Sequence, residues 1–504
     1  MNFEKKSSCG FSSLLSDFIP KYSTKAMTKA LLLWLLVLAI DGTVVFGQQT
    51  KVIKGAVLID GTGAPPIPDS VLVIREGRLV AVGPAGHVEI PNGSEEIDAR
   101  GKFIIPGMMD ANVHLFRDVS IEFIARYEDR LEELIEEGAQ ISLKYGVTTV
   151  FDSWGPLRPL MNVRDRINRG ETPGSRVFVA GNIVGLSGPF GRSFNTVGKW
   201  IAPKEFVERV NTMFEEGTGT RLSWLPPEQV GREIRTYIGL GIDFLKYAVS
   251  GHDCKGCSGF PETLDLSSVL LFTPEAQKAM VHEAHRAGII AQTHTTSVES
   301  LRQAVEAGVD MLQHGAITGP IPIPESTIEL MLESGIYCAV QPRTAKRLAI
   351  EKKDAALFRR SVQVLDAWDE NIRRLIKSGV PLLLATDAGV SNPIKTEVEA
   401  GKDAFDVEHP EMLGEAHFIW FRAMIEKGMS PMQAIVAATR NNAAAYGKLD
   451  QFGTVEVGKL ADLVVLNADP LEDIENTREI HWVIKEGVIV DREALPVHPL
   501  LTKP

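Results

Sequence analysis

Five side chains capable of joint chemistry recur at one kind of place, the ends of short apolar runs. His114 comes at the end of FIIPGMMDANVHL (103–115), Lys246 within IDFLKYAVS (242–250) and His294 near the end of IIAQTHT (289–295). His314 follows in DMLQHG (310–315) and Asp387 in PLLLATDAG (381–389). Three imidazoles and a carboxylate are donors of the kind that hold a borderline divalent ion such as Zn2+. Singly, each has a plainer reading: a strand-end histidine satisfied by hydrogen bonds, Lys246 in a rim ion pair, Asp387 capping the next helix. Five such residues at five run ends are harder to account for separately, and the joint reading is metal-assisted chemistry.

The elements that must position them alternate. Runs at 103–115, 146–153, 175–181, 242–250, 289–295, 310–315, 336–342 and 381–389 read as eight strands. Amphipathic stretches at 273–287, 297–307, 325–334, 361–378 and 411–427 read as helices between them. Strand–helix alternation predicts parallel pairing, and eight units close into a (β/α)8 TIM barrel whose C-terminal strand ends meet at one mouth. An open doubly wound sheet competes on pattern alone. Residues 51–105 alternate in the strand-and-turn style that GTVEVGKLADLVVLN and IHWVIKEGVIVD repeat near the other end. Both flanks can therefore pair into one small β-sandwich. The expected division is 1–47 as a signal, 48–105 plus 448–504 as the sandwich, and 106–447 as the barrel. Gly61-Thr62-Gly63 lacks the third glycine and following helix of a dinucleotide site and reads as a strand turn.

The chain has 504 residues, with 53 Lys+Arg against 65 Asp+Glu and a formal charge of −12. An acidic balance speaks against a general nucleic-acid binder, whose phosphate contacts need a basic face. A 44% hydrophobic and 23% charged composition excludes disorder for most of the chain. Ala30 to Ile40 is an uncharged apolar run behind Lys21, Lys25 and Lys29. It falls short of the roughly 20 residues a membrane-spanning helix needs. With small Val45 and Gly47 after it, it predicts a secretory signal cleaved before Gln48, and a secreted or periplasmic protein. The alternative is a protein anchored to the membrane by residues 30–40. In an oxidising compartment Cys254 and Cys257 form a local disulfide or stay as two free thiols.

In combination these stretches resemble the metal-dependent amidohydrolase superfamily, especially its secreted imidazolonepropionase-like and prolidase-like members. The matching text is PGMMDANVHLF (106–116), DFLKYAVSG (243–251), QTHTT (292–296), LQHG (312–315), LATDAG (384–389) and GTVEVGKLADLVVLNADPL (453–471). The resemblance implies a TIM barrel with a β-sandwich built from both flanks. It implies that Lys246 is carboxylated by CO2 and bridges two metals, with His294 and His314 on the β-metal and His114 and Asp387 on the α-metal.

One departure stands out. The family pattern has two histidines, HxH, at the first strand end, where this chain has Asn112-Val113-His114. An amide oxygen is a weaker Zn2+ ligand than imidazole, so one tight metal is expected, with a second weak or absent. Asn112 is then a metal or a substrate contact. The expected reaction is hydrolysis of an amide, peptide-like or cyclic amide C–N bond by metal-activated water, with Asp387 as general base and acid. Stretches 184–200 and 251–272 are the specificity loops. His252 and Arg343 are substrate candidates, Arg343 having a rim ion pair as its other reading, and His409 is a weaker one. His282 and His285 read as surface residues. The expected partner is a small-molecule or short-peptide substrate, with neither nucleic acid nor, after signal removal, membrane; homo-oligomerisation is left open. Two other readings are a non-catalytic or degenerate metal- or ligand-binding homologue and a hydrolytic deaminase. Lys246 and Asn112 both count against the deaminase.

Overall fold

The computed structural model describes residues 50–116, 119–195, 198–251, 269–355, 361–389, 408 and 411–496. The expected signal, His252, Cys254, Cys257 and His409 lie outside these residues. No helix among the described residues is long and apolar enough to cross a membrane.

Strand alternation builds the first layer. Strands β1 (Lys51–Leu58), β2 (Ile67–Arg75), β3 (Arg78–Pro84), β4 (Glu95–Asp98) and β5 (Phe103–Pro106) come from one flank. The sheet is completed from the other flank, by β15 (Leu463–Leu466), β16 (Ile480–Lys485) and β17 (Val488–Ile489). All eight belong to one sheet, ordered β17-β16-β15-β5-β1-β2-β3 with β4 on β1. Because side chains alternate across a strand, Ile53, Leu72, Ile74, Leu463 and Ile484 pack on one face while Val52, Val71 and Val73 pack on the other.

Residues 103–115, expected as one strand, are two. Gly107 divides β5 from β6 (Met108–His114), which belongs to a different sheet. A Cβ at Gly107 would run into the Thr148 side chain, so the close approach there requires glycine.

Two parallel sheets follow. One is ordered β14-β6-β7-β8, with β7 at Val147–Asp152, β8 at Arg176–Val179 and β14 at Ala388–Gly389. The other is β13-β12-β11-β10-β9, with β9 at Leu245–Ala248, β10 at Ala291–His294, β11 at Met311–Gln313, β12 at Tyr337–Val340 and β13 at Leu382–Leu384. Hydrogen bonds run between them at both edges. Val184 N donates to Lys246 O and Ala248 N to Val184 O, each at 2.9 Å, while Asp387 N donates to Asn112 O at 2.8 Å. Met109, Ala111, Phe151, Phe244, Met311 and Leu383, drawn from both sheets, pack in a single cluster with Tyr446.

Helices cover the outer faces as the apolar spacing dictates. Val362–Ser378 buries Leu365, Trp368, Ile372 and Leu375, a three- and four-residue spacing that makes one stripe. Ser361 caps its start by accepting from Val364 N, and Gly379 ends it at φ 85°. Two expected bounds shift. The helix expected over 411–427 begins at Ala416, because Gly414 at φ 85° holds the preceding turn out of helical geometry. The expected strand 381–389 is interrupted, since Asp387 takes φ 61° between β13 and β14.

Candidate active site

The strand order places the chemistry at one end of the parallel strands. His114 ends β6, Lys246 lies in β9, and His294 ends β10. His314 follows β11, and Asp387 lies between β13 and β14. In the β9–β10 register Gln292 pairs with Lys246 and His294 with Ala248, so His294 stands one strand over and two residues further along.

Asn112, His114, Lys246 and Asp387 form a hydrogen-bonded set. Lys246 Nζ donates to Asn112 Oδ1 at 3.3 Å, and Asn112 Nδ2 donates to Asp387 Oδ1 at 2.9 Å. His114 Nε2 lies 3.0 Å from the same Oδ1. His114 Nδ1 donates to the Trp154 carbonyl at 3.2 Å, which fixes the proton on Nδ1 because a carbonyl only accepts. His294 and His314 stand edge to face, ring centres 4.7 Å apart, and His314 Nδ1 meets Gln341 Oε1 at 3.2 Å. Hydrogen bonds to the second ring nitrogen are the device that orients a ligating imidazole.

His314 at φ 59° and Asp387 at φ 61° both occupy the left-handed region. For a residue other than glycine this conformation costs about 1–3 kcal/mol and persists where surrounding bonds over-determine it. At Asp387 those bonds are visible. Asp110 accepts from Thr386 N at 3.0 Å, from Thr386 Oγ1 at 2.5 Å and from Asn112 N at 3.1 Å.

Two fully buried carboxylates beneath the site escaped the sequence reading. Burial pushes Asp110 up to about 7, against the bonds from Thr386 and Asn112. Burial likewise pushes Asp152 up to about 8, opposed by bonds from Leu115 N and Trp154 N and by the charge of Lys246. Asp152 had a signal, since it ends the run GVTTVFDS as the named residues end theirs.

Arg343 is buried in an ion-pair network. Its Nε donates to Glu351 Oε1 at 3.0 Å and its guanidinium lies 4.7 Å over the Trp368 ring. This is the ion-pair reading of Arg343, made in the interior rather than at a solvated rim. His285 pairs with Asp310 at the surface. A mostly apolar cavity of about 520 Å³ lies between the two expected specificity loops, lined by Leu186, Trp224, Val269, Leu271 and Phe272.

The donor types fit a divalent ion, with imidazole nitrogens and a carboxylate oxygen on adjacent strand ends. Among the described residues no three His, Cys, Asp or Glu side chains by themselves form a metal-holding group. Lys246 lies on the strand beside the one that His294 ends, and a lysine fits a cation site only if it becomes anionic.

Comparison with known proteins identifies the family. The Amidohydrolase family model matches residues 258–490. The chain is 40% identical to molinate hydrolase, covering 91% of this chain and 98% of that one, with a TM-score of 0.83. It is 39% identical to phenylurea hydrolase B, covering 90% and 100%, also at 0.83. Ochratoxinase of Aspergillus niger is 25% identical over 444 residues, 86% of this chain and 84% of its own. The chain belongs to the amidohydrolase family. It is a hydrolytic enzyme, and carbon–nitrogen bonds are what it cleaves.

Proposed function

We propose that the enzyme hydrolyses the carbonyl–nitrogen bond of a small, uncharged amide, carbamate or urea bearing an apolar limb. The observation that carries this reading is the Lys246–Asn112–Asp387–His114 set beside the His294–His314 pair. We infer that both parallel sheets form one (β/α)8 barrel, with 48–105 and 448–504 as a composite β-sandwich and 106–447 as the barrel. The inner cluster drawn from both sheets and the bonds along both edges support it.

His294, His314 and carboxylated Lys246 would hold a Zn2+ ion, with His114 and Asp387 on the facing side. When bound, such an ion lowers the pKa of coordinated water and polarises a carbonyl. Lys246 qualifies by adding its amine to CO2: the ammonium gives up one proton to free its lone pair, an N–C bond forms, a second proton leaves, and a cation becomes an anion. Asp387 takes a proton from the attacking water and delivers it to the leaving nitrogen, so the C–O bond forms, the C–N bond breaks, and an amine departs. His114, fixed by the Trp154 carbonyl, orients the Asp387 carboxylate. The apolar side of the cavity would take the limb of the substrate, Arg192 lying in the same lining. The names molinate hydrolase and phenylurea hydrolase B point to the same kind of molecule. The apolar run at residues 30–40 supports export as a further reading.

The test is a substrate panel with Zn2+ and bicarbonate: molinate, phenylureas, N-acyl amino acids and Xaa-Pro dipeptides. Turnover of the first two groups above the last two is expected. Preference for the dipeptides overturns the substrate class.

A further inference from the structure

Asn112 grips Asp387 at two points. Asp387 N donates to Asn112 O at 2.8 Å, and Asn112 Nδ2 donates to Asp387 Oδ1 at 2.9 Å. The same amide accepts from Lys246 Nζ through Oδ1 at 3.3 Å. Its orientation is set by its neighbours, because a carboxylate oxygen accepts and an amine donates, so Nδ2 must face Asp387 and Oδ1 must face Lys246. The Lys246 bond survives carboxylation, since a carbamate nitrogen keeps one N–H. Asn112 is fully buried, and its own backbone N–H is tied to Asp110, the carboxylate that also holds Thr386. The residue thus sits at the seam between β6 and the segment that carries Asp387 in its left-handed conformation.

We propose that Asn112 is a positioning residue whose amide bridges Lys246 to Asp387, rather than a metal ligand. This rests on the reading of Asp387 as proton carrier and Lys246 as ligand. A carboxylate at this position cannot replace it, because it only accepts. The bridge needs a donor toward one neighbour and an acceptor toward the other, in the planar span of a carboxamide. A ligand role makes the opposite demand, because an anionic oxygen at the same place binds a cation better than an amide oxygen does.

Four variants separate the two roles: N112A, N112D, D387N, and N112D combined with D387N. The readouts are metal per chain by elemental analysis, the melting temperature of the metal-free protein, and kcat and KM. The bridge predicts equal metal content in N112A and N112D. It predicts metal-free melting temperatures falling from the natural chain to N112A to N112D, because the last sets two carboxylates face to face. It predicts recovery in the double variant, where donor and acceptor are exchanged and the Lys246 bond is kept. It also predicts kcat lower by about 10–100-fold in N112A with KM little changed, the range for groups that orient a ligand. Metal lost in N112A and regained in N112D overturns the bridge in favour of a ligand. A double variant melting no higher than N112D overturns it as well. If N112D/D387N recovers its melting temperature while D387N alone keeps full kcat, the bridge stands and the proton-carrier reading fails.

Discussion

The main-chain oxygen of Trp154 accepts from His114 Nδ1 at 3.2 Å, while the indole of the same residue stacks on Phe194 with ring centres 4.3 Å apart. One residue therefore joins the orientation of a candidate ligand to the loop after β8. Trp154 also packs against Phe214, and it is 2% exposed.

Trp154→Ala should destabilise the protein by about 3–5 kcal/mol, as for other buried aromatic truncations, and lower kcat by loosening the backbone whose carbonyl holds His114. Trp154→Phe should cost markedly less, because the buried indole nitrogen has no hydrogen-bond partner among the described residues. Urea unfolding and steady-state kinetics measure both. Equal losses in the two variants would refute the packing account.

His417 gives stability a pH dependence of definite sign. Burial pulls its pKa down to about 3, the nearby charge of Arg478 acting the same way against a hydrogen bond donated to the Tyr145 carbonyl. The unfolded chain takes up this proton near 6.5, well before the folded one does. This contribution is complete above pH 6.5 and is lost as the pH falls toward 3, at up to about 1.4 kcal/mol per pH unit. Unfolding free energies at pH 7 and pH 5 should converge in His417→Gln relative to the natural chain.

Carboxylation of Lys246 is checked by chemistry at one atom. Growth or reconstitution with 13C-bicarbonate should give a single carbamate carbon resonance, which Lys246→Ala abolishes together with hydrolysis and most of the bound metal. A Lys246→Ala variant with full metal content removes the lysine from the ligand set.

Trp224 lines the apolar cavity while remaining 82% exposed. Trp224→Ala should leave stability within about 0.5 kcal/mol, as is usual at the surface. It should raise KM for apolar substrates by about tenfold, the low end of what one apolar contact contributes to discrimination. Unchanged KM across the panel would remove the cavity from the substrate path.

The sequence made the alternation of strands and helices legible, and with it the positions of His114, His294, His314 and Asp387 near strand ends. Apolar spacing carries that information directly. It does not carry backbone sign: nothing in PLLLATDAG announces that Asp387 breaks the strand at φ 61°. Nor does spacing say which sheet a residue joins, so the division at Gly107 emerged only from pairing. Asp110 and Asp152 were passed over because a carboxylate inside an apolar run looks like a solvent-facing alternate position. Of the backbone donors that hold them, Thr386 N on Asp110 and Leu115 N on Asp152 come from other segments of the chain. Asn112 was legible as a departure, but its two-sided bonding depends on Lys246 and Asp387, which lie more than a hundred residues away.

The pairing of β5 with β15 links the tail of the chain to its reaction centre. Phe103–Pro106 is bonded along its length to Leu463–Leu466, and one glycine later the same backbone becomes the strand that bears Asn112 and His114. A cut that removes the last forty or so residues (Leu463 onward) would strip β5 of its neighbour on that side, and the slack would be felt first at those two side chains. Proteolytic trimming from the C-terminus should therefore silence catalysis before the remaining helices unfold.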